Sequence, residues 1–414
     1  MTTGVVAAGP DHAELADTLG AFERWLAGYG ETSWDHQSYF AGGYGGWAKQ
    51  LYYRSPKAGI LAVAPMILSE AVLPGARRLF HRKIRFPIAD AHYAMGFAFR
   101  FADTKEPSHL THAIHFLEEL KRSRAPGHEE YCWGYPFDWV TRNGTLARDT
   151  PFITTLPYVY EAFWQVHQHN PRDEWLAVMA SMARHAYTAL KTFPASSPRA
   201  RSCAYGPYDN KGGVLNASAY RSFLLTSAAR VFSEAKYEKA AEENIAFVLD
   251  NQNADGSWFY ATDGVRDFVD HFHTCFVMKA LGKIHALTGN PEIRAALDRG
   301  TSYYLANLFD EDGLPKPFSK APRMTVYKRE LYDCAECINL CLVLRREFPR
   351  METPLQRVTR DILEHWVKRD GSFRSRKLHL GWDNVPMHRW GQSQMFRSLA
   401  YYASEAGRNP SPVA

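Results

Sequence analysis

The sequence has almost none of the signals that predict a β-sheet, because no sustained run of alternating β-branched residues occurs in its 414 residues. It also lacks G-x-x-x-x-G-K-S/T, and no G-x-G-x-x-G follows a strand, so nothing in it supports nucleotide binding. The net charge is only +5, without a basic domain or stripe. Nucleic acid is therefore not an expected partner.

Disulfide bonds and a secretory leader are not indicated either. The six cysteines are scattered through a large chain, a pattern that predicts free thiols in a reducing compartment. Cys334-x-x-Cys337 has no second C-x-x-C partner and lies among apolar residues at helical spacing, so we interpret both cysteines as small hydrophobic residues. Residues 1–20 lack the basic start and apolar stretch of a secretory signal. We predict a cytoplasmic protein with no metal and no cofactor.

One apolar stretch, residues 59–76, is near the lower length limit for a membrane span but contains Glu70, Pro65 and Pro74. A basic run follows it. The first interpretation is a buried helix of the core, and a true span is disfavoured. The alternative is a helix at the membrane interface over residues 59–85, with the basic run near anionic headgroups. That alternative would make the protein peripheral at the inner membrane, close to lipid-linked substrates.

A repeat with a period of almost sixty residues sets the architecture. A helical segment, a few polar residues and an Asp-Gly pair recur, with the aspartates at Asp255, Asp312 and Asp370, 57 and 58 residues apart. Glycine accepts the positive φ that ends a helix, and aspartate hydrogen-bonds its own backbone there. Such a period accommodates two helices and two connections. Each unit therefore predicts one helical hairpin.

The second helix of each unit opens with polar residues and continues with apolar residues at helical spacing. Two earlier units, around residues 131–139 and 203–213, are degenerate copies of the same layout. A divergent N-terminal part at 12–120 and repeat hairpins over 121–405 give about six hairpins. We therefore predict an all-α fold, an (α/α)6 toroid formed by residues 1–414 as one domain.

The string FVLDNQNADGSW, residues 247–258, resembles the QW repeat of terpenoid cyclases. Similar hairpins form the six-hairpin glycosidases and the protein prenyltransferases, and this resemblance covers most of residues 125–405. The strings RFPIADAHYAMGF, DHFHTCF and ELYDCAECINL resemble a family of bacterial proteins found with polysaccharide-biosynthesis enzymes. The resemblance implies the toroid fold and an association with polysaccharides, whereas the D-x-D-D run of terpene cyclisation is absent.

Polar clusters at the starts of successive inner helices should converge on one cavity, where helix N-termini also offer free N–H groups to anionic ligands. A single Asp, Asn, Ser or Thr there is often only a cap, but five consecutive clusters with histidine and arginine are harder to explain by capping. The candidate catalytic residues are Asp270, His271, His273, Tyr332, Asp333 and Glu336. The candidate substrate-binding residues are Trp133, Tyr135, Asp138, Arg148, Asp149, Tyr205, Tyr208, Asp209, Asn216, Tyr220, Arg221, Trp258, Arg389, Trp390, Gln392 and Gln394.

Such residues are typical of a sugar site, because hydroxyl groups need polar partners and the apolar faces of sugars stack on aromatic rings. We expect a carbohydrate-active enzyme that acts on a surface polysaccharide or a lipid-linked oligosaccharide by general acid/base chemistry. One alternative is a non-catalytic glycan-binding or scaffold protein of polysaccharide biosynthesis. A second is an enzyme like the terpenoid cyclases or prenyltransferases, whose cavity would be apolar.

Two sets of residues fit two kinds of sugar chemistry. Glycoside hydrolysis would use Asp270 with Glu336 or Asp333 as a carboxylate pair. Uronate elimination or epimerisation would instead need a base, an acid and a counterion for the uronate. The candidates for those roles are His271 or His273, then Tyr332, then Arg389 or Arg221.

Overall fold

The computed structural model describes residues 9–41, 43–141, 144–322 and 324–406, and 61% of it is helical. Gly42 and both ends of the predicted 1–414 domain lie outside the described residues. The helices are α1 (His12–Tyr29), α2 (Gly43–Arg54), α3 (Pro56–Val72), α4 (Arg77–Phe80), α5 (Pro87–Thr104), α6 (Pro107–Arg122), α7 (Leu156–His167), α8 (Asp173–Thr188), α9 (Leu215–Phe232), α10 (Ala235–Asp250), α11 (His271–Thr288), α12 (Pro291–Asn307), α13 (Leu331–Leu344), α14 (Glu352–Asp361) and α15 (Ser393–Ala406).

Six of these helices form a closed inner ring. Going round the ring, α5, α7, α9, α11, α13 and α15 each pack on the next, and α15 packs back on α5. An outer helix backs each inner one: α6 backs α5, α8 backs α7, α10 backs α9, α12 backs α11 and α14 backs α13. The predicted all-α (α/α)6 toroid is confirmed.

The sixth hairpin is assembled from helices far apart in sequence, because α1 is the outer helix that backs α15. Phe22 of α1 is fully buried, and its ring centroid lies 5.1 Å from that of Phe396 in α15. It also stacks on Phe373, 5.3 Å away, in the loop that leads to α15. The ring is therefore closed by aromatic packing across the whole length of the described chain.

The Asp-Gly turns of the repeat follow outer helices α10, α12 and α14 and have the predicted backbone. Their φ angles are +92° at Gly256, +72° at Gly313 and +88° at Gly371. Asp255 and Asp370 each accept a hydrogen bond from the main-chain N–H two residues on, whereas in the middle turn Asp310 takes this role. A Cβ on Gly371 would lie 2.4 Å from the carbonyl oxygen of Ala21, so this turn is pressed against α1.

Short antiparallel strands lie in the loops that lead into inner helices. They are β1 (Trp139–Thr141), β2 (Gly144–Leu146), β3 (Thr192–Pro194), β4 (Arg201–Cys203), β5 (Val269–Asp270), β6 (Phe318–Lys320), β7 (Tyr327–Glu330), β8 (Arg376–Leu378) and β9 (Trp382–Asp383). β1 pairs with β2, β3 with β4 and β5 with β6, while β7, β8 and β9 form one sheet. These small sheets form the rim of the toroid at the end where the inner helices begin.

Residues 59–85 do not form a buried core helix, so the first interpretation of this stretch was wrong. Helices α2, α3 and α4 form an insert between α1 and α5, and α3 buries only one side, against a small cluster with Tyr39 and Ala48. Its other side is exposed, with Ile60, Leu61, Ile67, Leu68 and Val72. Within the described ranges, no helix combines the length and the apolar character that crossing a bilayer requires.

A buried network of ion pairs fastens this insert to the rim. Nη2 of Arg77 donates to Oε2 of Glu70 and to Oδ2 of Asp383, both at 2.8 Å. Arg376 donates to Glu70 at 3.0 Å and to Glu330 at 2.6 Å. Two guanidinium groups thus compensate three buried carboxylates, and the insert is fixed to β7, β8 and β9 beside the start of α13.

Candidate active site

The first turns of neighbouring inner helices lie against each other at the rim. Tyr332 of α13 stacks on Trp390, just before α15, with centroids 5.9 Å apart and planes at 9°. The ring centroid of Phe272, on α11, lies 5.0 Å from that of Tyr332. On the other side, the hydroxyl groups of Tyr158 in α7 and Tyr220 in α9 are 2.7 Å apart. These contacts bring the starts of neighbouring inner helices together at one end of the ring.

Asp270 and His273 form a carboxylate–imidazole dyad at this rim. Asp270 caps α11, because its Oδ1 accepts the main-chain N–H of His273 at 2.8 Å. Its Oδ2 is 2.6 Å from Nδ1 of the same histidine. A proton on Nδ1 donated to the carboxylate leaves Nε2 with its lone pair, and no hydrogen bond to Nε2 occurs among the described residues. The imidazole is partly exposed, so the pair is built as an accessible base.

Asp333, in the first turn of α13, lies in an environment that favours the neutral form of its carboxyl group. Burial raises the pKa of this carboxyl well above its ordinary value, and the nearby carboxylates of Glu330, Asp270 and Glu336 raise it further. Its Oδ1 has no hydrogen-bond partner among the described residues. The rim thus combines an imidazole that is hydrogen-bonded to a carboxylate with a second carboxyl group whose pKa is raised.

Three cations and two carboxylates lie deeper along the ring axis, and one pair of them is Lys283 with Glu161. Nζ of Lys279, on α11, forms a buried ion pair with Glu336, on α13. Burial lowers the pKa of Lys279 to about 8, Glu336 opposes that shift, and Arg397 adds to it. Arg397 of α15 is also buried, 5.4 Å from the ring centroid of Tyr158. The axis of the toroid is therefore charged rather than apolar.

Several neutral polar groups on the inner helices are buried and have no hydrogen-bond partner in the part of the chain that the structure describes. They are both ring nitrogens of His92 on α5, both amide atoms of Asn216 on α9 and Oε1 of Gln394 on α15. Burial and the nearby charge of Arg397 lower the pKa of His92 well below its ordinary value, so this imidazole is neutral. Buried polar groups in native proteins are normally satisfied, and unsatisfied ones on three inner helices indicate a place for a polar ligand.

Aromatic side chains line the rim beside these groups. Arg389 is held by two hydrogen bonds to Asp35, at 2.9 and 2.7 Å, and its guanidinium lies 3.8 Å from the ring centroid of Trp390. The ring centroid of Tyr135 lies 4.8 Å from Cζ of the same guanidinium. Tyr205 donates to Thr154 near the start of α7 and belongs to a cluster of rings with Trp139 and Phe152. Such surfaces stack against sugar rings.

The structure places two candidate residues away from the axis. Nδ1 of His271 is 3.2 Å from the carbonyl oxygen of Leu308, and Nε2 is 2.8 Å from the hydroxyl of Tyr304, so both ring nitrogens have partners. Arg221 donates to Asn244 of α10 at 2.7 Å and to main-chain carbonyls of α8. Both side chains point towards outer helices, and they are not brought together with the dyad.

Three further candidates support the protein core. The indole N–H groups of Trp133 and Trp258 donate to the carbonyl oxygens of Leu120 and Val248, at 2.9 and 3.0 Å. The amide of Gln392 is satisfied on both sides by the main chain of Phe373. None of these groups is free for a ligand.

The remaining candidates lie in the rim loops. Asp138 accepts from the N–H of Arg148, and Asp209 accepts from the N–H groups of Tyr205 and Gly206, so both carboxylates shape their loops. Arg148 forms an exposed ion pair with Asp149. Tyr208 is exposed. These loops precede α7 and α9, and the described contacts do not join them to the axis.

Sequence reasoning missed four residues of the axis: His92, Tyr158, Lys279 and Arg397. It considered the polar clusters that open the repeat helices, whereas Lys279 lies in the third turn of α11 and Arg397 in the second turn of α15. Lys279 was the clearest available signal, since a charged residue within the apolar segment CFVMKALGKI needs a buried partner. All six cysteines are buried, and among the described residues no group of three or more acidic, His or Cys side chains could hold a metal ion.

The chain has an α/α-toroid fold, and solved structures of six-hairpin glycosidase-like enzymes have a similar fold. No family model and no curated protein matches the sequence. An unsaturated glucuronyl hydrolase from Bacillus sp. GL1 has a similar structure, with a TM-score of 0.61 at 11% identity over 93% of this chain and 95% of that one.

Two other solved structures are similar to the chain. One is a cellobiose 2-epimerase from Bacillus thermoamylovorans, with a TM-score of 0.60 at 10% identity over 78% of this chain and 88% of that one. The other is a polysaccharide lyase, with a TM-score of 0.53 at 10% identity over 82% of this chain and 95% of that one. At these identities the likeness concerns the fold alone.

Proposed function

We propose that this protein is a carbohydrate-active enzyme that transfers a proton at a ring carbon of an oligosaccharide or polysaccharide, as an epimerase or a lyase does. The observation that carries the proposal is the dyad of Asp270 and His273, together with the buried acid Asp333. A base and an acid in such different environments hold different protonation states at one pH. Neighbouring folds that are named as sugar epimerases and as a polysaccharide lyase support this class.

In the proposed step, Nε2 of His273 takes a proton from a carbon beside a carbonyl or carboxylate group, and Asp270 stabilises the resulting imidazolium through Nδ1–H. The electrons of the broken C–H bond pass into the adjacent carbonyl or carboxylate. Asp333 carries the proton that is returned. Return to the opposite face of the same carbon is epimerisation, and return to the departing oxygen is elimination.

Hydrolysis by a carboxylate pair has less support. Both oxygens of Asp270 interact with His273, and Glu336 is paired with Lys279, so neither carboxylate is free to protonate a glycosidic oxygen. The same charged axis counts against a terpenoid or prenyl substrate, whose apolar chain would have to displace water from buried charges.

The proposal is tested by proton exchange with solvent. The full chain is incubated in D2O with cellobiose and with cellobiouronic acid, and deuterium at each ring carbon is measured by NMR. We expect His273→Ala and Asp270→Asn each to lower exchange about a hundredfold or more, the usual scale for general acid/base groups. Asn is as good a helix cap as Asp, so the thermal midpoint of Asp270→Asn should hardly change.

A matched control is His285→Ala, which changes a histidine in the last turn of the same helix. It should leave exchange unchanged. Exchange at wild-type rates in both dyad variants would refute the assignment. Cleavage of the glycosidic bond without deuterium at any ring carbon would show hydrolysis instead, and binding without any turnover would identify a glycan-binding protein.

We also propose that the insert docks on the cytoplasmic face of an anionic membrane, which would bring a lipid-linked saccharide to the rim. Residues 43–85 contain eight Lys or Arg against one acidic residue, Glu70, which is buried, while the rest of the chain has 41 basic and 43 acidic residues. Leu61, Leu68 and Leu79 are 76%, 62% and 82% exposed beside this charge. Exposed leucines with a basic border fit an interfacial position among anionic headgroups.

Flotation with vesicles tests the docking surface. The wild-type chain should float with vesicles rich in phosphatidylglycerol and not with pure phosphatidylcholine. The double change Leu61→Ser and Leu68→Ser, and separately Arg78→Glu with Arg82→Glu, should release it. Leu287→Ser, on the far end of α11, is the control. If both double variants still float, the membrane does not bind this surface. If light scattering instead shows a concentration-dependent dimer of the wild-type chain that both variants lose, the surface binds a second copy of the chain.

A further inference from the structure

Among the described residues, Arg397 differs from Arg77, Arg221, Arg376 and Arg389 in having neither a counterion nor a hydrogen bond at Nε and Nη2. Arg77, Arg376 and Arg389 each bind carboxylates, and Arg221 binds an amide and main-chain carbonyls. Among the described residues, no carboxylate lies within ion-pair distance of Arg397, and its Nε and Nη2 make no hydrogen bond. The side chain is 98% buried. An unpaired guanidinium in such a place is strongly unfavourable for the folded chain on its own.

The charges around Arg397 leave an excess of positive charge on the ring axis. Lys279, Lys283 and Arg397 are the cations, and Glu336 and Glu161 are the carboxylates that pair with the two lysines. Burial and the neighbouring carboxylates raise the pKa of Asp333 well above its ordinary value, which favours its uncharged form. The neighbouring His92 is neutral. A ligand with one negative charge would therefore compensate the axis.

The free atoms of Arg397 define the shape of that ligand. Nε–H and Nη2–H lie on one edge of the guanidinium and point in parallel, the arrangement that binds both oxygens of a carboxylate. The unsatisfied side chains of His92, Asn216 and Gln394 come from α5, α9 and α15 and offer donors and acceptors for hydroxyl groups. Carboxylate and hydroxyl partners at one site match a uronic acid.

We propose that Arg397 binds the carboxylate of a uronic acid residue and makes the enzyme selective for acidic over neutral sugars. This inference rests on the proposed function. His273 is in the first turn of α11 and Arg397 in the second turn of α15, and both helices pack on α13. Abstraction of the C5 proton sends its electrons into the C5–C6 bond and gives the carboxylate a second negative charge. Arg397 stabilises that charge until the proton from Asp333 returns to C5 or to the departing oxygen.

The test compares two disaccharides that differ only at C6 of one ring, cellobiose and cellobiouronic acid. Calorimetric titration of the full chain should give at least tenfold tighter binding of cellobiouronic acid. Arg397→Gln should abolish this preference, and Arg397→Lys should keep part of it, because lysine keeps the charge without the paired donors. Both variants should fold, and the thermal midpoint of unliganded Arg397→Gln should rise, because an unpaired buried charge is removed.

Three results would overturn the inference. The first is equal binding of the two disaccharides by the wild-type chain, and the second is an unchanged preference in Arg397→Gln. The third is tighter binding of cellobiose carrying a 6-phosphate than of cellobiouronic acid, which would assign the site to phosphate. A further outcome is exchange of deuterium into cellobiose that depends on His273 while the enzyme shows no preference for cellobiouronic acid. That result would contradict this inference and leave the proposed function standing.

Discussion

Two histidines in the first turn of α11 have different surroundings because they lie on different sides of the helix. Successive residues of an α-helix are about 100° apart, so His271 and His273 point in nearly opposite directions. His273 faces the rim with Nε2 free, whereas His271 is buried between Tyr304 and Leu308. The sequence presents both as equal candidates, because spacing alone does not show which side of a lone helix start faces the axis.

His271 is expected to govern acid stability rather than turnover. Burial lowers its pKa to about 3, below the value of about 6.5 in an unfolded chain. The unfolded state therefore binds more protons between those values, and the free energy of unfolding falls as the pH drops from about 6.5 to about 3. In His271→Gln, unfolding in urea should show a loss of about 1–3 kcal/mol at pH 7, from the lost hydrogen bonds. Its dependence on pH in that window should be shallower, by up to about 1.4 kcal/mol per pH unit.

His112→Gln is the matched control, because His112 lies exposed on α6. It should change neither the stability at pH 7 nor the slope below it. If His271→Gln unfolds with the wild-type slope, the buried neutral imidazole is not the cause of acid sensitivity. Proton exchange per folded molecule should survive this substitution, in contrast to His273→Ala.

Polar residues near a helix start can be proposed as site residues from the sequence, whereas residues in the turns below cannot. Tyr332, Asp333 and Glu336 follow from polar residues at an inner helix start, and the structure gathers them at the axis. Arg397 and Lys279 can be recognised as axis residues only once the ring is known. The five other inner helices determine which side of α15 or α11 faces the ring axis. When several helices of the ring form the surroundings of a side chain, its role cannot be assigned from the sequence of one helix.

At the scale of elements, the Asp-Gly turn combines two constraints at Gly371. Its φ is +88°, and an added Cβ would lie 2.4 Å from the carbonyl oxygen of Ala21 in α1. Gly371→Ala should therefore lower the free energy of unfolding by roughly 3 kcal/mol or more, since backbone strain and a clash with main chain add together. Urea unfolding of the variant measures this loss.

Gly381→Ala separates the two contributions. Gly381 has a similar φ of +81°, but a Cβ there meets nothing within 4 Å. This variant should lose only about 1 kcal/mol, the cost of a left-handed conformation for alanine. Equal losses in the two variants would mean that α1 is not pressed against the turn.

The α3 helix shows why its environment was assigned incorrectly from sequence. Apolar residues occupy both of its sides, so no helical periodicity distinguishes the buried side from the exposed one. Its one acidic residue, Glu70, faces inwards because Arg77 and Arg376 compensate it, and Arg376 is 306 residues away in the chain. A partner so distant cannot be inferred from the local pattern.

At the scale of the whole molecule, Phe22 should act as a closure residue for the ring. Phe22→Ala should lower the free energy of unfolding by about 3–5 kcal/mol, as expected for a large buried ring. Hydrogen exchange followed by mass spectrometry should show faster exchange in α15 and α1, which pack on each other, than in α9 and α10 across the ring.

Phe247→Ala is the comparison, because Phe247 is equally buried but belongs to α10. It should lose similar stability and raise exchange first in α9 and α10. Uniform acceleration throughout the ring in both variants would show that the toroid opens only as a unit, and local closure by α1 would be refuted.

Because α1 packs on α15, the ring can close only after almost the whole chain has been synthesised. The N–H of His388 donates to the hydroxyl of Ser33, 355 residues earlier. A ribosome that adds about 5–20 residues per second needs roughly 20–70 seconds to cover that separation. Throughout this interval the apolar face of α1 emerges without its partner, so the nascent chain is a natural client for chaperones until its last inner helix has been made.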